Sequence, residues 1–242
     1  MTKKMLNQNA KYDQRFLDKV EPKFEFSNKP INRLKIVKEN RVQNKKGKEG
    51  KEERILRLKK KINSIEDCNL RNNSKNLVMG DGDINSPIML IGEAPDEKED
   101  LEAKTFCGDV GVLLNKMLLA IKIKREKVYS TYSINFRPPN DRKPTTQEIK
   151  RYSIFLKEHI SIIDPKILIL MGTTAMEAVT GLGNQISNER GNWKEIIIGN
   201  KTIPVIITFN PSYLIRYPDK KKFSWEDLKK IRKKVEDLNI II

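Results

Sequence analysis

The chain has 242 residues, of which 38% are hydrophobic and 7% aromatic, and it carries a net charge of +16. This length accommodates one sizeable domain plus an extension, and no run approaches the roughly 18 apolar residues of a membrane-spanning helix. Two cysteines, Cys68 and Cys107, are too few for a disulfide framework or for an all-cysteine iron–sulfur cluster. The polar, lysine-rich beginning lacks the apolar core of a secretion signal, so we expect a cytoplasmic protein without a membrane partner, and a monomer.

The positive charge is concentrated at the beginning of the chain. Residues 1–65 hold 20 basic and 8 acidic side chains. Such an excess favours binding to nucleic-acid phosphates, with an affinity that falls as salt rises. A coding bias toward lysine explains it equally well, because the chain is also rich in Asn and Ile. Residues 1–50 show little periodicity and are predicted to form a basic, flexible extension, followed by one domain over residues 51–242.

The sequence of the domain predicts alternating helices and strands. An amphipathic helix is predicted from Glu52 to Ile65, where apolar residues recur among basic ones, and we expect it to dock on the core. The other predicted helices are Gly111 to Ile123 with Val112 on its apolar face, a helix opened by a capping box at Thr145 and reaching about His159, and a C-terminal helix opened by a second capping box, Ser224 to Asp227.

Four short apolar runs between these helices predict strands buried on both faces, at residues 88–91, 127–132, 166–170 and 205–208. Successive β-α-β units imply right-handed crossovers and parallel pairing. We therefore predict an α/β fold, a three-layer α/β/α sandwich around a mainly parallel four-stranded central sheet. Ligands of such sheets bind beyond the carboxyl ends of the strands, where the turn residues that follow all four runs should meet.

Those turn residues carry a recognisable pattern. It consists of Gly92-Glu-Ala-Pro95 with Glu99-Asp100, then Phe106 and Gly108, then Arg137-Pro-Pro139 with Arg142 and Pro144, and finally Pro211-Ser-Tyr-Leu214 with Arg216. In this order the motifs resemble the uracil-DNA glycosylase superfamily, most closely its family-4 branch, over roughly Asp67 to Leu238. The resemblance implies a DNA-binding hydrolase that cleaves the N-glycosidic bond of uracil as the first step of base excision repair. Water would be the nucleophile, since we expect no lysine to be placed for Schiff-base chemistry.

Cleavage of this bond requires the nucleotide to leave the stack, and it passes through a transition state with positive charge on the sugar. By resemblance, Glu93 and Glu99 match the acidic positions that serve this chemistry. The loop of Gly92, Ala94, Pro95 and Asp96 would wrap the base. Without the resemblance, the same loop is also explained as a simple strand-to-loop turn.

Phe106 matches the aromatic residue that stacks on the extruded base, although ordinary core packing is the alternative explanation. The DNA-binding positions implied by the resemblance are Arg137, Arg142, Ser212, Leu214 as a wedge, and Arg216.

Three residues depart from the family pattern in the predicted pocket. Tyr132 replaces the asparagine that reads the uracil edge, and one hydroxyl cannot reproduce the donor–acceptor pair of an amide. Asn210 replaces a histidine, and it can donate a hydrogen bond but cannot carry positive charge. Asp96 replaces a glycine. These departures leave two alternatives open: a catalytically silent DNA-binding protein, or a glycosylase with altered specificity for hypoxanthine or xanthine.

The cysteines depart from the family pattern as well. Family-4 enzymes commonly hold a four-iron cluster through four cysteines, but Phe136 and Tyr152 occupy two of the matching positions. Cys68 is the only candidate left, and Cys107 matches no ligand. We therefore expect neither a metal nor another cofactor, and we expect the aromatic residues to fill the space. The single histidine, His159, is expected to be structural.

Overall fold

The computed structural model of the protein describes residues 49–66, 68–183 and 185–241. The predicted basic extension, residues 1–50, lies almost wholly outside these ranges, so its boundary with the domain stays a prediction.

A six-stranded sheet forms the centre of the described structure. Its strand order is β1-β3-β2-β4-β6-β5, in which β3, β2, β4 and β6 are parallel and the two edge strands are antiparallel. The strands are β1 (Asp81–Gly82), β2 (Ile88–Gly92), β3 (Tyr129–Tyr132), β4 (Ile167–Met171), β5 (Trp193–Ile198) and β6 (Lys201–Thr208). The four predicted strands are confirmed as the parallel centre, and the structure adds the two edge strands.

Alternation along the strands separates two hydrophobic cores. In β2, Met89 and Ile91 belong to one core, and Ile88 and Leu90 belong to the other. Successive side chains of a strand point to opposite faces of the sheet, so each core lies between the sheet and one helical layer. This arrangement is the predicted α/β/α sandwich.

The helices cover the two faces of the sheet. They are α1 (Lys51–Asn63), α2 (Asn69–Asn73), α3 (Glu97–Glu102), α4 (Gly108–Ala120), α5 (Thr146–Ile163), α6 (Thr173–Thr180), α7 (Ile186–Glu189), α8 (Pro211–Arg216) and α9 (Lys221–Asp237), with short 3-10 turns at Arg125–Lys127, Pro139–Asp141 and Pro218–Lys220. The amphipathic α1 docks on the core as predicted, because its Leu58 and Ile62 are buried. Among the described helices, none has the length and apolar composition that would be needed to cross a bilayer.

One predicted capping box is present and the other is not. The Thr145 hydroxyl accepts the Glu148 amide at 3.2 Å, and the Glu148 carboxylate accepts the Thr145 amide at 2.7 Å. By contrast, α9 begins at Lys221, so Ser224 lies inside the helix. Asp227 is fully buried there and forms an ion pair instead of a cap. Val112, predicted on an apolar face, is 53% exposed because α4 turns Leu114 inward instead.

Candidate active site

The carboxyl ends of the parallel strands meet at one edge of the sheet. Gly92 at the end of β2 is paired with Tyr132 at the end of β3, and Met171 of β4 is paired with Thr208 of β6. The loops that follow are joined across this edge, since the Gly172 amide donates to the Thr208 carbonyl at 3.0 Å. The predicted gathering of the four turn clusters is therefore confirmed.

Glu93, the first residue after β2, is held by the beginning of α6. Its Oε1 accepts hydrogen bonds from the Thr173 hydroxyl and the Thr174 amide, each at 3.1 Å. The first turn of a helix presents unsatisfied amides and a partial positive charge, which stabilise a carboxylate. Gly172 allows this approach, because it has a φ of +105° and a Cβ there would lie 2.4 Å from Cδ of Glu93.

Asn210 contacts the same carboxylate from the other side. Its Nδ2 donates to Oε2 of Glu93 at 3.4 Å, while its Oδ1 accepts the amide and the hydroxyl of Ser212, both at 3.0 Å. Asn210 thereby caps the N-terminus of α8, a role that asparagine performs well. Both oxygens of Glu93 are thus fixed by the protein, and the amide of Asn210 is oriented with its nitrogen toward Glu93.

A solvent-open cleft of about 260 Å³ lies over Glu93 and Asn210. The predicted loop residues Ala94, Pro95 and Asp96 form one wall of it. Cationic side chains, of Arg142, Lys143 and Arg216, line the cleft together with Pro138, Asp141, Pro144, Thr174 and Ser212. A fixed carboxylate surrounded by cations can face a sugar with flanking phosphates. Lys143 lies along this cleft, and the expectation that no lysine is placed for Schiff-base chemistry stays a prediction.

Asp96 and Glu99 form a capping box at the start of α3. Oδ1 of Asp96 accepts the Lys98 and Glu99 amides at 2.9 and 3.2 Å, and Oε2 of Glu99 accepts the Asp96 amide at 2.8 Å. The glycine-to-aspartate departure at position 96 therefore has a structural reason. Glu99 is 3% exposed and also accepts the Cys107 amide at 3.2 Å. Burial raises the pKa of Glu99 to about 7. Glu99 does not line the cleft, and its predicted catalytic role stays a prediction.

Tyr132 is a third partner of Glu99, after the Asp96 and Cys107 amides. Its hydroxyl hydrogen-bonds the Glu99 carboxylate and accepts the Phe106 amide at 2.9 Å. The Tyr132 and Phe106 rings lie 5.1 Å apart, and the two residues are 2% and 5% exposed. The ring of Phe106, predicted to stack on a base, therefore contacts Tyr132 and offers little surface to solvent.

The predicted DNA-binding residues fall into two groups. Arg142 and Arg216 line the cleft, and Arg142 also pairs with a glutamate of α5. Arg137 is paired with Asp141 at 2.7 Å, outside the cleft lining. Leu214, the predicted wedge, is fully buried in the core below α8, and its role on DNA stays a prediction. Its neighbour Ile215 is 41% exposed and is the apolar side chain that α8 presents to solvent here.

The residues at the family's cluster positions pack as an apolar group. The Phe136 and Tyr152 rings lie 6.4 Å apart with edge-to-face geometry, and the Tyr152 hydroxyl lies 3.2 Å from Sγ of Cys68. In the described ranges no group of three or more metal-binding side chains comes together. A four-cysteine cluster therefore does not fit this part of the chain. His159 is fully packed against Tyr129, and burial lowers its pKa to about 3.

Sequence reasoning missed the two threonines that hold Glu93. Thr173 and Thr174 follow Met171-Gly172, a strand end that the sequence did identify. A glycine followed by two threonines is a typical helix start, and that signal could have marked the loop as a carboxylate-binding element. The contact between this loop and Glu93 could be predicted only with knowledge of the strand order of the sheet.

The chain is similar in sequence to proteins of a known family. The family model of the uracil DNA glycosylase superfamily matches residues 79–231, more than half of the chain. The type-4 uracil-DNA glycosylase of Thermotoga maritima is 36% identical over 167 residues, which cover 69% of this chain and 85% of the relative. Those of Archaeoglobus fulgidus and Sulfurisphaera tokodaii are 32% and 35% identical, covering 71% and 74% of this chain and 88% and 83% of their own lengths. The chain therefore belongs to the uracil-DNA glycosylase superfamily.

Proposed function

We propose that this protein is a DNA glycosylase that hydrolyses the N-glycosidic bond of uracil in DNA and so begins base excision repair. The type-4 uracil-DNA glycosylases that it resembles cover more than two thirds of the chain. The observation that carries the proposal is Glu93, fixed by Thr173, Thr174 and Asn210 in a cleft with cationic walls.

The fixed carboxylate suits the transition state of this reaction. As the bond to the base breaks, positive charge develops on the deoxyribose, and a carboxylate already oriented by hydrogen bonds stabilises that charge without rearrangement. Water attacks the sugar and becomes its hydroxyl group, the electrons of the broken bond leave with the base, and the proton that the water loses ends on the departing base. Arg142 and Arg216 line the cleft and would hold the flanking phosphates.

Two residues limit the binding of the base and the stabilisation of the departing base anion. Asn210 supplies an amide near Glu93 but no positive charge for the departing base anion. Tyr132 fills the space beside Phe106. We therefore propose slow excision rather than a fast enzyme. We also propose that the protein acts as a monomer in the cytoplasm.

An excision assay tests this function. Single-stranded and duplex oligonucleotides with one uracil are incubated with the protein, and abasic sites are revealed by alkaline scission. Glu93→Gln should lower the single-turnover rate by about 100-fold or more, since electrostatic stabilisation of developing charge is lost. Glu226→Gln, which removes an equal charge from a surface ion pair of α9, should leave the rate unchanged.

The same assay examines the role of Lys143. Scission without alkali, or trapping of protein on DNA by borohydride, would show that a lysine attacks the sugar. Failure of the folded wild-type protein to release uracil would refute the proposed function.

A further inference from the structure

The place beside Phe106 is occupied by a side chain of the protein itself. The Tyr132 ring lies 5.1 Å from the Phe106 ring at an angle of 42°. On the other side both rings meet the end of β2: a Cβ added at Gly92 would lie 2.6 Å from Cε1 of Tyr132 and 2.8 Å from Cζ of Phe106. Dense packing of this kind leaves no room for a base between β2 and the two rings.

The polar end of Tyr132 is held as firmly as the ring. Its hydroxyl accepts the Phe106 amide at 2.9 Å and hydrogen-bonds Glu99. Phe106 has a φ of +53°, a conformation uncommon for a residue with a side chain, and in it the amide is directed at the phenol. Glu99 is in turn fixed by the Asp96 and Cys107 amides. Displacing Tyr132 would therefore break two hydrogen bonds and a ring contact together.

The part of the site that remains open suits a sugar without a base. The cleft of about 260 Å³ contains Glu93 and Asn210 with Arg142 and Arg216 on its walls, but neither the Tyr132 nor the Phe106 ring lines it. A deoxyribose carrying two phosphates needs a polar recess and cations, and it needs no aromatic slot. The open cleft thus corresponds to the part of the site for the sugar, and the filled space beside Phe106 corresponds to the part for the base.

We propose that Tyr132 takes the place of the extruded base, so that the resting site prefers DNA with an abasic deoxyribose. This inference rests on the proposed function for the location of the DNA site. An abasic site binds the resting conformation directly, whereas an extruded uracil binds only after Tyr132 has left its position. The apparent affinity for the uracil-containing strand is the intrinsic affinity multiplied by the fraction of molecules in which Tyr132 is displaced. The abasic product therefore competes with the uracil-containing strand for the resting site.

Equilibrium binding tests the preference. Fluorescence anisotropy compares single-stranded oligonucleotides that carry tetrahydrofuran, 2′-fluoro-2′-deoxyuridine or thymidine at one position, at one salt concentration. Neither of the first two is cleaved, because tetrahydrofuran has no base and the fluorine slows bond cleavage. Wild-type protein should bind the tetrahydrofuran strand about tenfold or more tightly than the fluorodeoxyuridine strand. Equal affinities, or a preference for fluorodeoxyuridine, would overturn the proposal.

Three variants separate the ring from the hydroxyl and from general effects. Tyr132→Asn empties the space and should remove the preference, mainly by tightening the fluorodeoxyuridine complex. Tyr132→Phe keeps the ring and should retain most of it. Tyr129→Phe removes a buried phenol bonded to His159 in the other core, so its preference should equal that of wild type. A Tyr132→Asn protein that melts cooperatively yet keeps the preference would contradict the proposal.

Failure of the proposed function gives a different result. If wild-type protein prefers the tetrahydrofuran strand but releases no uracil, the inference stands and the catalytic function falls. If it releases uracil without preferring the tetrahydrofuran strand, the function stands and the inference falls.

Discussion

Replacing Glu99 by glutamine should remove one component of the pH dependence of folding stability. Glu99 is 3% exposed, and its burial raises the pKa from 4.5 to about 7. The folded protein therefore binds more protons than the unfolded chain between these two values. The contribution of Glu99 to the free energy of unfolding is fully present below pH 4.5, and it is lost as the pH rises to about 7. A pKa difference of this size corresponds to about 3 kcal/mol.

His159 has the opposite effect and must be separated from Glu99. Burial lowers its pKa from 6.5 to about 3, so the unfolded chain binds more protons than the folded protein between these values. Its contribution is present above pH 6.5 and is lost as the pH falls toward 3. Between pH 4.5 and 6.5 the two groups partly cancel in the wild-type protein. The difference between wild type and Glu99→Gln isolates Glu99, because His159 is unchanged in both.

Urea denaturation followed by circular dichroism, at several pH values from 4.5 to 8, measures this difference. The stability of wild type relative to Glu99→Gln should fall by about 3 kcal/mol across that range. The glutamine cannot accept both the Asp96 and Cys107 amides, so it adds an offset that does not change with pH. A difference that stays constant with pH would show that the folded protein does not raise the Glu99 pKa, and would refute the reasoning.

Two further predictions concern the core and the pocket. Asp227→Ala leaves Arg190 without its buried partner, so the free energy of unfolding should fall by about 3–5 kcal/mol in urea denaturation. A loss below about 1 kcal/mol, as for an exposed pair, would contradict this. Tyr132→Asn combined with Asn210→His should excise uracil about tenfold or more faster than wild type in single-turnover assays, because the base gains a paired donor and acceptor and space to enter. An unchanged rate in a folded double variant would show that Tyr132 does not limit base entry.

The four parallel strands at the centre of the sheet were predicted from local patterns. The two edge strands were not predicted. Apolar runs such as Ile88 to Ile91 are buried on both faces and give a strong signal for parallel strands. The edge strand β1 has only two residues, and β5 alternates intermediate and exposed positions with charged Lys194 and Glu195. The partner of β1 is β3, which is distant in sequence and leaves no local pattern. By contrast, β5 and β6 form a hairpin across Gly199-Asn200, a local turn signal that sequence reasoning missed.

The candidate site was likewise predicted only where local motifs indicated it. The sequence identified Glu93 and Asn210 through their motifs, but the contacts that fix Glu93 come from a helix about 80 residues further along the chain. The burial of Leu214 was not predicted, because a short helix with several apolar residues does not indicate which of them faces inward. The sequence identified Tyr132 as a departure from the family pattern. It did not predict the burial of Tyr132 against Phe106, because that contact depends on the packing of two segments distant in sequence.

The contacts of the site separate bond cleavage from base recognition. Glu93 is positioned by α6 and Asn210, and within the described ranges its carboxylate forms no hydrogen bond with Tyr132, Phe106 or Glu99. The latter three residues instead fix one another through the phenol. Movement of Tyr132 would therefore leave the carboxylate in place, so substitutions at Tyr132 should act through binding of the base. Substitutions at Glu93 should act through the chemical step even when base affinity is intact, because they remove the charge that faces the sugar.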